Sequence, residues 1–258
     1  MEKEHRLKLV SLNIELDRHL DKVLPFLQQE RADVICLQEV CEKNFATLEK
    51  GLHLKGFFVP TCVPDVERVV DKRAAGEGRL VVNEELVKKG PEGIALFTGL
   101  PVHSTHIDYY HKISEAVPRW SVGQNRVLFS AIVDKGGKNY TVGTTHFTWT
   151  PDGKGSPEQE RDMKKLLEIL ARFPGIVFCG DFNAPRGGEM WAKFAEKYAD
   201  NIPNQYNSSL DPKLHRAGHL DRMVDGLFCT PEYIVSNVRL VEGVSDHKAV
   251  VGMIERII

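Results

Sequence analysis

The chain has 258 residues, a formal net charge of -2, and is 42% hydrophobic and 27% charged. A chain of this size and balance can bury a substantial core within one domain, here expected over residues 1–258. The near-neutral charge excludes a strong attraction of the whole molecule for nucleic acid, while leaving room for a local basic groove.

The five cysteines include no Cys-x-x-Cys pair, which argues against a disulfide framework or a zinc cluster. Cys36 and Cys179 sit in apolar runs and read as small core residues. The first apolar run is too short for a signal-peptide core and is soon interrupted by Asn13 and Glu15. No apolar run approaches membrane-spanning length. The expectation is a cytoplasmic protein with no membrane insertion and no predicted oligomeric state.

In chain order, residues 7–14 alternate Val10, Leu12 and Ile14 and predict a strand. Leu16, Leu20, Val23, Leu24 and Leu27 are spaced for a helix over residues 16–29, and residues 33–37 form a short buried strand. A second helix is expected over residues 44–52. Residues 62–90 mix charges, glycines and valines and read as an insertion or an extra hairpin. Residues 92–97 and 126–133 predict strands. Between them, residues 101–124 carry Tyr109, Tyr110, His111, Pro118 and Trp120 and predict a loop-rich, exposed segment.

Gly136-Gly137 predicts a tight turn into a strand over residues 138–146. Residues 156–172 carry the clearest helix signal. Ser156 suits the N-cap, Pro157 the first helical position, and Gln159 completes a capping box. Met163, Leu166, Leu167 and Leu170 line its apolar face. A buried strand over residues 176–179, a helix over 189–198 and final strands near 223–229 and 249–254 follow. There is no internal repeat. The alternation of strands with helices, with several strand pairs joined by turns, predicts an α/β fold with mixed sheet.

Polar residues collect where these strands end. Asp181 and Asn183 follow the run Ile176-Val177-Phe178-Cys179, and two-residue spacing in extended chain puts both on one face. Glu39 follows Val34-Ile35-Cys36-Leu37, His146 closes the strand over 138–146, and Asp246-His247 precedes Ala249-Val250-Val251. Each alone is an ordinary turn, cap or surface residue. Together they supply the acids, amides and imidazoles that a hard cation and an acid/base pair require.

The blocks Ser11-Leu12-Asn13, Leu37-Gln38-Glu39-Val40, Thr145-His146-Phe147, Gly180-Asp181-Phe182-Asn183 and Ser245-Asp246-His247 occur in the order of the endonuclease/exonuclease/phosphatase superfamily, which the chain resembles from residue 11 to 247. The resemblance implies a deoxyribonuclease I-like, four-layer α/β/β/α sandwich with two mixed β-sheets. It also implies a phosphoesterase that uses a divalent metal, Mg²⁺ with Mn²⁺ as the alternative. By the same resemblance, Glu39 binds the metal, Asn13 orients Glu39 or touches the metal, and Asp246 is a further carboxylate beside it. Asp181 orients or deprotonates the attacking water, and Asn183 holds a phosphate oxygen. His247 contacts phosphate or acts as general base, so that the choice of base between Asp181 and His247 stays open. His146 contacts phosphate or protonates the leaving group. Asp225 hydrogen-bonds the catalytic imidazole, with Asp221 as its rival, and Arg126 lies against the substrate.

Substrate choice in such folds is set by loops, here residues 62–90, 100–124 and 202–219. Tyr109, Tyr110, Trp120 and Trp149 are better read as surface packing than as base-stacking groups. Arg68, Lys72, Arg73, Arg79, Lys88 and Lys89 are interleaved with acids and read as a solvated surface. Three functions follow. The leading one is hydrolysis of phosphodiesters in nucleic acid (DNA or RNA) or nucleotides. The second is a phosphatase or phosphodiesterase for a small molecule or lipid headgroup, and the third a non-catalytic binding module.

Overall fold

The computed structural model describes residues 5–62, 90–112 and 124–257. The expectations for residues 63–89, including Arg68 to Lys89, and for Pro118 and Trp120 lie outside the described residues. In chain order the elements are β1 (Leu7–Asn13), α1 (Leu20–Glu30), β2 (Val34–Cys41), α2 (Glu42–Leu52), β3 (Lys55–Cys62), β4 (Glu92–Thr98) and β5 (Val102–His111). There follow β6 (Arg126–Lys135), β7 (Lys138–His146), α3 (Pro157–Leu170), β8 (Val177–Asp181), α4 (Glu189–Ala195), β9 (Ala199–Asp200), β10 (Asp225–Cys229), β11 (Tyr233–Val241) and β12 (Ala249–Arg256). No described helix is long and apolar enough to cross a membrane.

The strands form two 6-stranded sheets, in the orders β11-β12-β1-β2-β4-β3 and β5-β6-β7-β8-β10-β9. Each sheet is mixed. Its parallel pair is β1–β2 in one and β7–β8 in the other, and all other pairs are antiparallel. Each parallel pair is joined through one helix, α1 or α3, because a parallel connection must cross back over the sheet.

Period-2 alternation sorts the side chains into layers. Leu7 and Leu9 of β1 and Val34 and Cys36 of β2 enter the core shared with the second sheet. Val10, Leu12, Ile35 and Leu37 enter a separate core with Val23 and Leu27 of α1 and Leu48 of α2. On the other side, Met163, Leu166 and Leu170 of α3 and Phe194 of α4 pack with Phe178 of β8 and Phe228 of β10. The result is the expected sandwich of two sheets with helices outside. Between the sheets, the buried Gln38 Nε2 of β2 donates to Thr144 Oγ1 of β7 at 3.0 Å.

Several elements depart from the sequence expectation. The first helix begins at Leu20 instead of residue 16, because Glu15 (φ 45) and Leu16 (φ 66) are left-handed and form a turn. The segment expected as a loop after residue 101 is the ten-residue strand β5. As an edge strand it has polar groups on both faces, and only Tyr110 is fully buried, so no apolar alternation announces it. The other unforeseen strands, β3, β9 and β11, are edges too, and Pro60 in β3 is tolerated for that reason. The α4 helix ends at Ala195, short of 198, and β10 starts only at Asp225, later than 223. Gly136 (φ 62) and Gly137 (φ 78) close the two-residue β6–β7 hairpin, as their positive φ values allow.

Candidate active site

Asn13, His146 and Asp181 are the last residues of β1, β7 and β8, so the two sheets deliver them to one edge of the sandwich. Glu39 arrives differently. It stands inside β2, where the register with β4 shifts between Leu37 and Val40, and its φ is 55. Without that bulge Glu39 would share the face of Ile35 and Leu37, beneath the helices. The extra residue re-aims it toward the site while Val40 returns to the apolar layer. The sequence expectation of a strand ending before Glu39 is corrected accordingly.

The groups meet within 4.0 Å of one another along the chain of contacts from Glu39 to Asp225. Asn13 Nδ2 donates to Glu39 Oε1 and to Asp181 Oδ2, each at 3.1 Å. His146 Nε2 lies 3.5 Å from Asp181 Oδ2 and 4.0 Å from Glu39 Oε1. His247 Nε2 lies 3.9 Å from Asp181 Oδ2, and its Nδ1 is 2.7 Å from Asp225 Oδ2. Asp225 opens β10, opposite Asp181 in register, and Ser209 Oγ accepts its backbone N–H. The rival Asp221 faces solvent and pairs with His219 instead.

Gly180 lets this corner form. At φ 143 it brings β8 against β7, where a Cβ would stand 1.9 Å from Thr145 O. Asn183 does not continue the extended chain that was expected to place it on the face of Asp181. It is left-handed at φ 48, and its N–H donates to Asp181 Oδ1 at 2.8 Å, an Asx-turn that orients the carboxylate. Its side-chain Nδ2 donates to Phe147 O at 3.0 Å.

The two imidazoles are tuned in opposite directions. Burial would lower the His247 pKa, but the Asp225 and Asp181 carboxylates and the Asp225 hydrogen bond hold it well above the usual value. His146 is pushed well below it by burial, then by the Arg126 and His247 charges. At neutral pH His247 is therefore a cation and His146 a neutral donor/acceptor. Burial raises Asp181 to about 6, with the Asp225 charge adding and His247 opposing. Burial also raises Glu39, and the Asp181 and Asp246 charges add to it.

Asp181, Asp225 and His247 have ligand atoms within 4.8 Å of one another. These groups are already engaged: His247 Nδ1 with Asp225, and the two Asp181 oxygens with Asn183 N–H and Asn13 Nδ2. Glu39 and Asp246 are two further carboxylates, close enough that the Asp246 charge raises Glu39, and a hard cation suits such a pair of oxygen ligands. Asn13 was expected among the metal ligands. Its Oδ1 accepts the Glu15 N–H at 3.1 Å and its Nδ2 donates to Glu39 and Asp181, contacts suited to orienting Glu39. Arg126, expected against substrate, is buried, and its Nη1 donates to His146 O at 3.0 Å.

Three residues near the site were missed. Glu15 is held by Arg18 and His19 and its charge acts on Asp246. His215 also feels Asp246, from a turn tied to it by Asp211 N–H donating to Asp246 O at 2.7 Å. Ser209 props Asp225. All three lie in turns, whose sequences carry no periodicity to read.

The family model of the Endonuclease/Exonuclease/phosphatase family matches residues 10–247, and the chain belongs to that family, whose members cleave phosphate esters. Among solved structures, an endonuclease/exonuclease/phosphatase from Bacteroides vulgatus is 17% identical with a TM-score of 0.69, over 98% of this chain and 99% of that one. The human Nocturnin catalytic domain with bound sulfate is 18% identical with a TM-score of 0.66, over 98% and 95%. The mannosyl-6-phosphatase Bt3783 of Bacteroides thetaiotaomicron is 12% identical with a TM-score of 0.64, over 96% and 99%. At these identities the likeness is one of fold. No curated protein sequence matches the chain.

Proposed function

We propose that the protein is a divalent-metal-dependent phosphodiesterase acting on nucleic acid or nucleotides. The observation that carries this reading is the convergence of Asn13, Glu39, His146, Asp181, Asp225 and His247, from both sheets, into one cluster joined by hydrogen bonds and by His–carboxylate approaches of 4.0 Å or less. Glu39 and Asp246 would hold Mg²⁺, with Mn²⁺ as the alternative, and Asn13 would orient Glu39. When bound, the ion supplies a positive charge that offsets the charge developing on the phosphoryl oxygens.

The chain's own groups divide the remaining work. His247, kept protonated by Asp225, pairs with a phosphoryl oxygen. Asn183 has one amide N–H on Phe147 O and offers the other to the phosphate. His146, neutral, donates a hydrogen bond to the same group. Asp181, raised to about 6, takes the proton of the attacking water. A carboxylate titrating there is a stronger base than an ordinary one yet is still largely ionised at neutral pH. A protonated His247 cannot fill that role, so the reading assigns the base to Asp181.

A second reading, a small-molecule phosphatase, is favoured by a polar cavity of about 440 Å³ lined by Arg186, Asn204, Tyr206, Asn207, Asp221 and Met223. The chain also has little net charge for gripping a polyanion.

The test is hydrolysis of bis-p-nitrophenyl phosphate and p-nitrophenyl phosphate with Mg²⁺, Mn²⁺ or EDTA, followed by single-stranded and duplex DNA and RNA. Diester turnover that EDTA abolishes and His247→Ala lowers at least about 100-fold is expected. A preference for the monoester would favour the second reading. No turnover of any ester or nucleic acid would leave a binding module.

A further inference from the structure

Gln159 was read from sequence as half of a capping box. Only the other half forms: Ser156 Oγ accepts the Gln159 N–H at 3.1 Å, while the Gln159 side chain points elsewhere. Its Nε2 donates to Thr148 O at 2.6 Å and to Asn183 O at 3.4 Å. Two carbonyl acceptors require the NH₂ end of the amide, so this orientation is fixed by the network.

The two carbonyls belong to the two loops that leave β7 and β8 for the candidate site. One loop begins at His146 and the other at Asp181. They are already laced together by Phe147 N–H to Asp181 O and by Asn183 Nδ2 to Phe147 O. One turn further along α3, Asp162 Oδ2 accepts the Thr148 hydroxyl at 2.6 Å, and His111 Nδ1 of β5 lies 3.1 and 3.2 Å from the two Asp162 oxygens. Thr148, Gln159 and Asp162 are 5%, 0% and 2% exposed, too buried for water to compete for these bonds. His111, Glu158 and Asp162 have ligand atoms within 4.8 Å of one another, but both Asp162 oxygens are engaged, so this is a hydrogen-bond hub and no cation site is assigned to it.

We infer that Gln159, assisted by Asp162, is a positioning residue for phosphoester hydrolysis: it clamps the His146 and Asn183 loops to the first turns of α3 and so sets where those two side chains meet the phosphate. The inference rests on the roles proposed above for His146 and Asn183. Groups that hold a reacting group from behind typically change activity 10- to 100-fold, because small displacements spoil the approach to the transition state.

The test is a double-mutant cycle. Gln159→Met keeps the side-chain length and removes the donors, and is expected to lower kcat for bis-p-nitrophenyl phosphate about 10- to 100-fold with KM within about threefold. On a His146→Ala background the same change is expected to cost several-fold less than in the wild type, since one of the two groups it positions is gone and only Asn183 remains. Thr148→Val, which removes only the hydroxyl held by Asp162, should show the same split more weakly and serves if Gln159→Met fails to fold. Full activity in both variants, or an equal loss on both backgrounds, would overturn the positioning role. A His146→Ala enzyme as active as wild type would instead overturn the proposed reading of the site.

Discussion

The two sheets solve the same problem twice and end differently. In the first, β1 crosses through α1 to its parallel neighbour β2. In the second, β7 crosses through α3 to β8. Both crossovers leave polar residues at the same edge. In the first, the chain after Asn13 passes through the left-handed residues Glu15 and Leu16 before α1 starts, and Glu39 is aimed by a bulge. In the second, the first turns of α3 reach back to hold the loops after β7 and β8 through Gln159 and Asp162. Both halves aim a carboxylate through irregular backbone, Glu39 by its bulge and Asp181 by Gly180 and the left-handed Asn183, and only the second half adds a buried hydrogen-bond hub behind its loops. One connection topology can therefore deliver groups of different chemistry, because only the terminal geometry differs.

If the halves divide the work as proposed, the largest effects separate them. Glu39→Ala and Asp181→Asn should each lower kcat about 10³-fold or more. Mg²⁺ affinity, read by calorimetry, should collapse only in Glu39→Ala, and equal loss in both would erase the division. Gly180→Ala attacks the contact of β7 with β8. With a Cβ 1.9 Å from Thr145 O at φ 143, it should destabilise by about 4 kcal/mol in chemical denaturation. A near-native midpoint would mean that the corner tolerates rearrangement.

The pH profile tests one group from each side, Asp181 at the end of β8 and His247 just before β12. Because the folded-state pKa of Asp181 is raised to about 6 and the base must be ionised, kcat/KM should rise as pH increases through about 6. It should fall only where His247 loses the proton that Asp225 and Asp181 hold well above the usual histidine range. Asp181→Asn should flatten the acid limb. An unchanged limb would move the base elsewhere. The smallest effect is Ser156→Ala, which removes the α3 N-cap and should cost about 1 kcal/mol of stability with kcat unchanged. A large fall in kcat would show that helix start and site are not separable.

By itself the sequence determined the class of architecture and most of the residues that meet at the strand ends. Buried strands carry continuous or alternating apolar runs, and His146, Asp181 and His247 stand at their margins, where a polar residue is conspicuous, while Asn13 was reached only through the family resemblance. The edge strands β3, β5 and β11 stayed hidden because an edge has no apolar face on both sides to write a pattern. Only the tertiary structure decided that Glu39 sits in a bulge, that Asn183 turns back on Asp181, that Asp225 and not Asp221 reaches His247, and that Gln159 serves the site more than its own helix cap. Each of these is a long-range hydrogen bond or a left-handed residue. Such features depend on which backbone atoms come near in space, and local spacing along the chain carries no record of that.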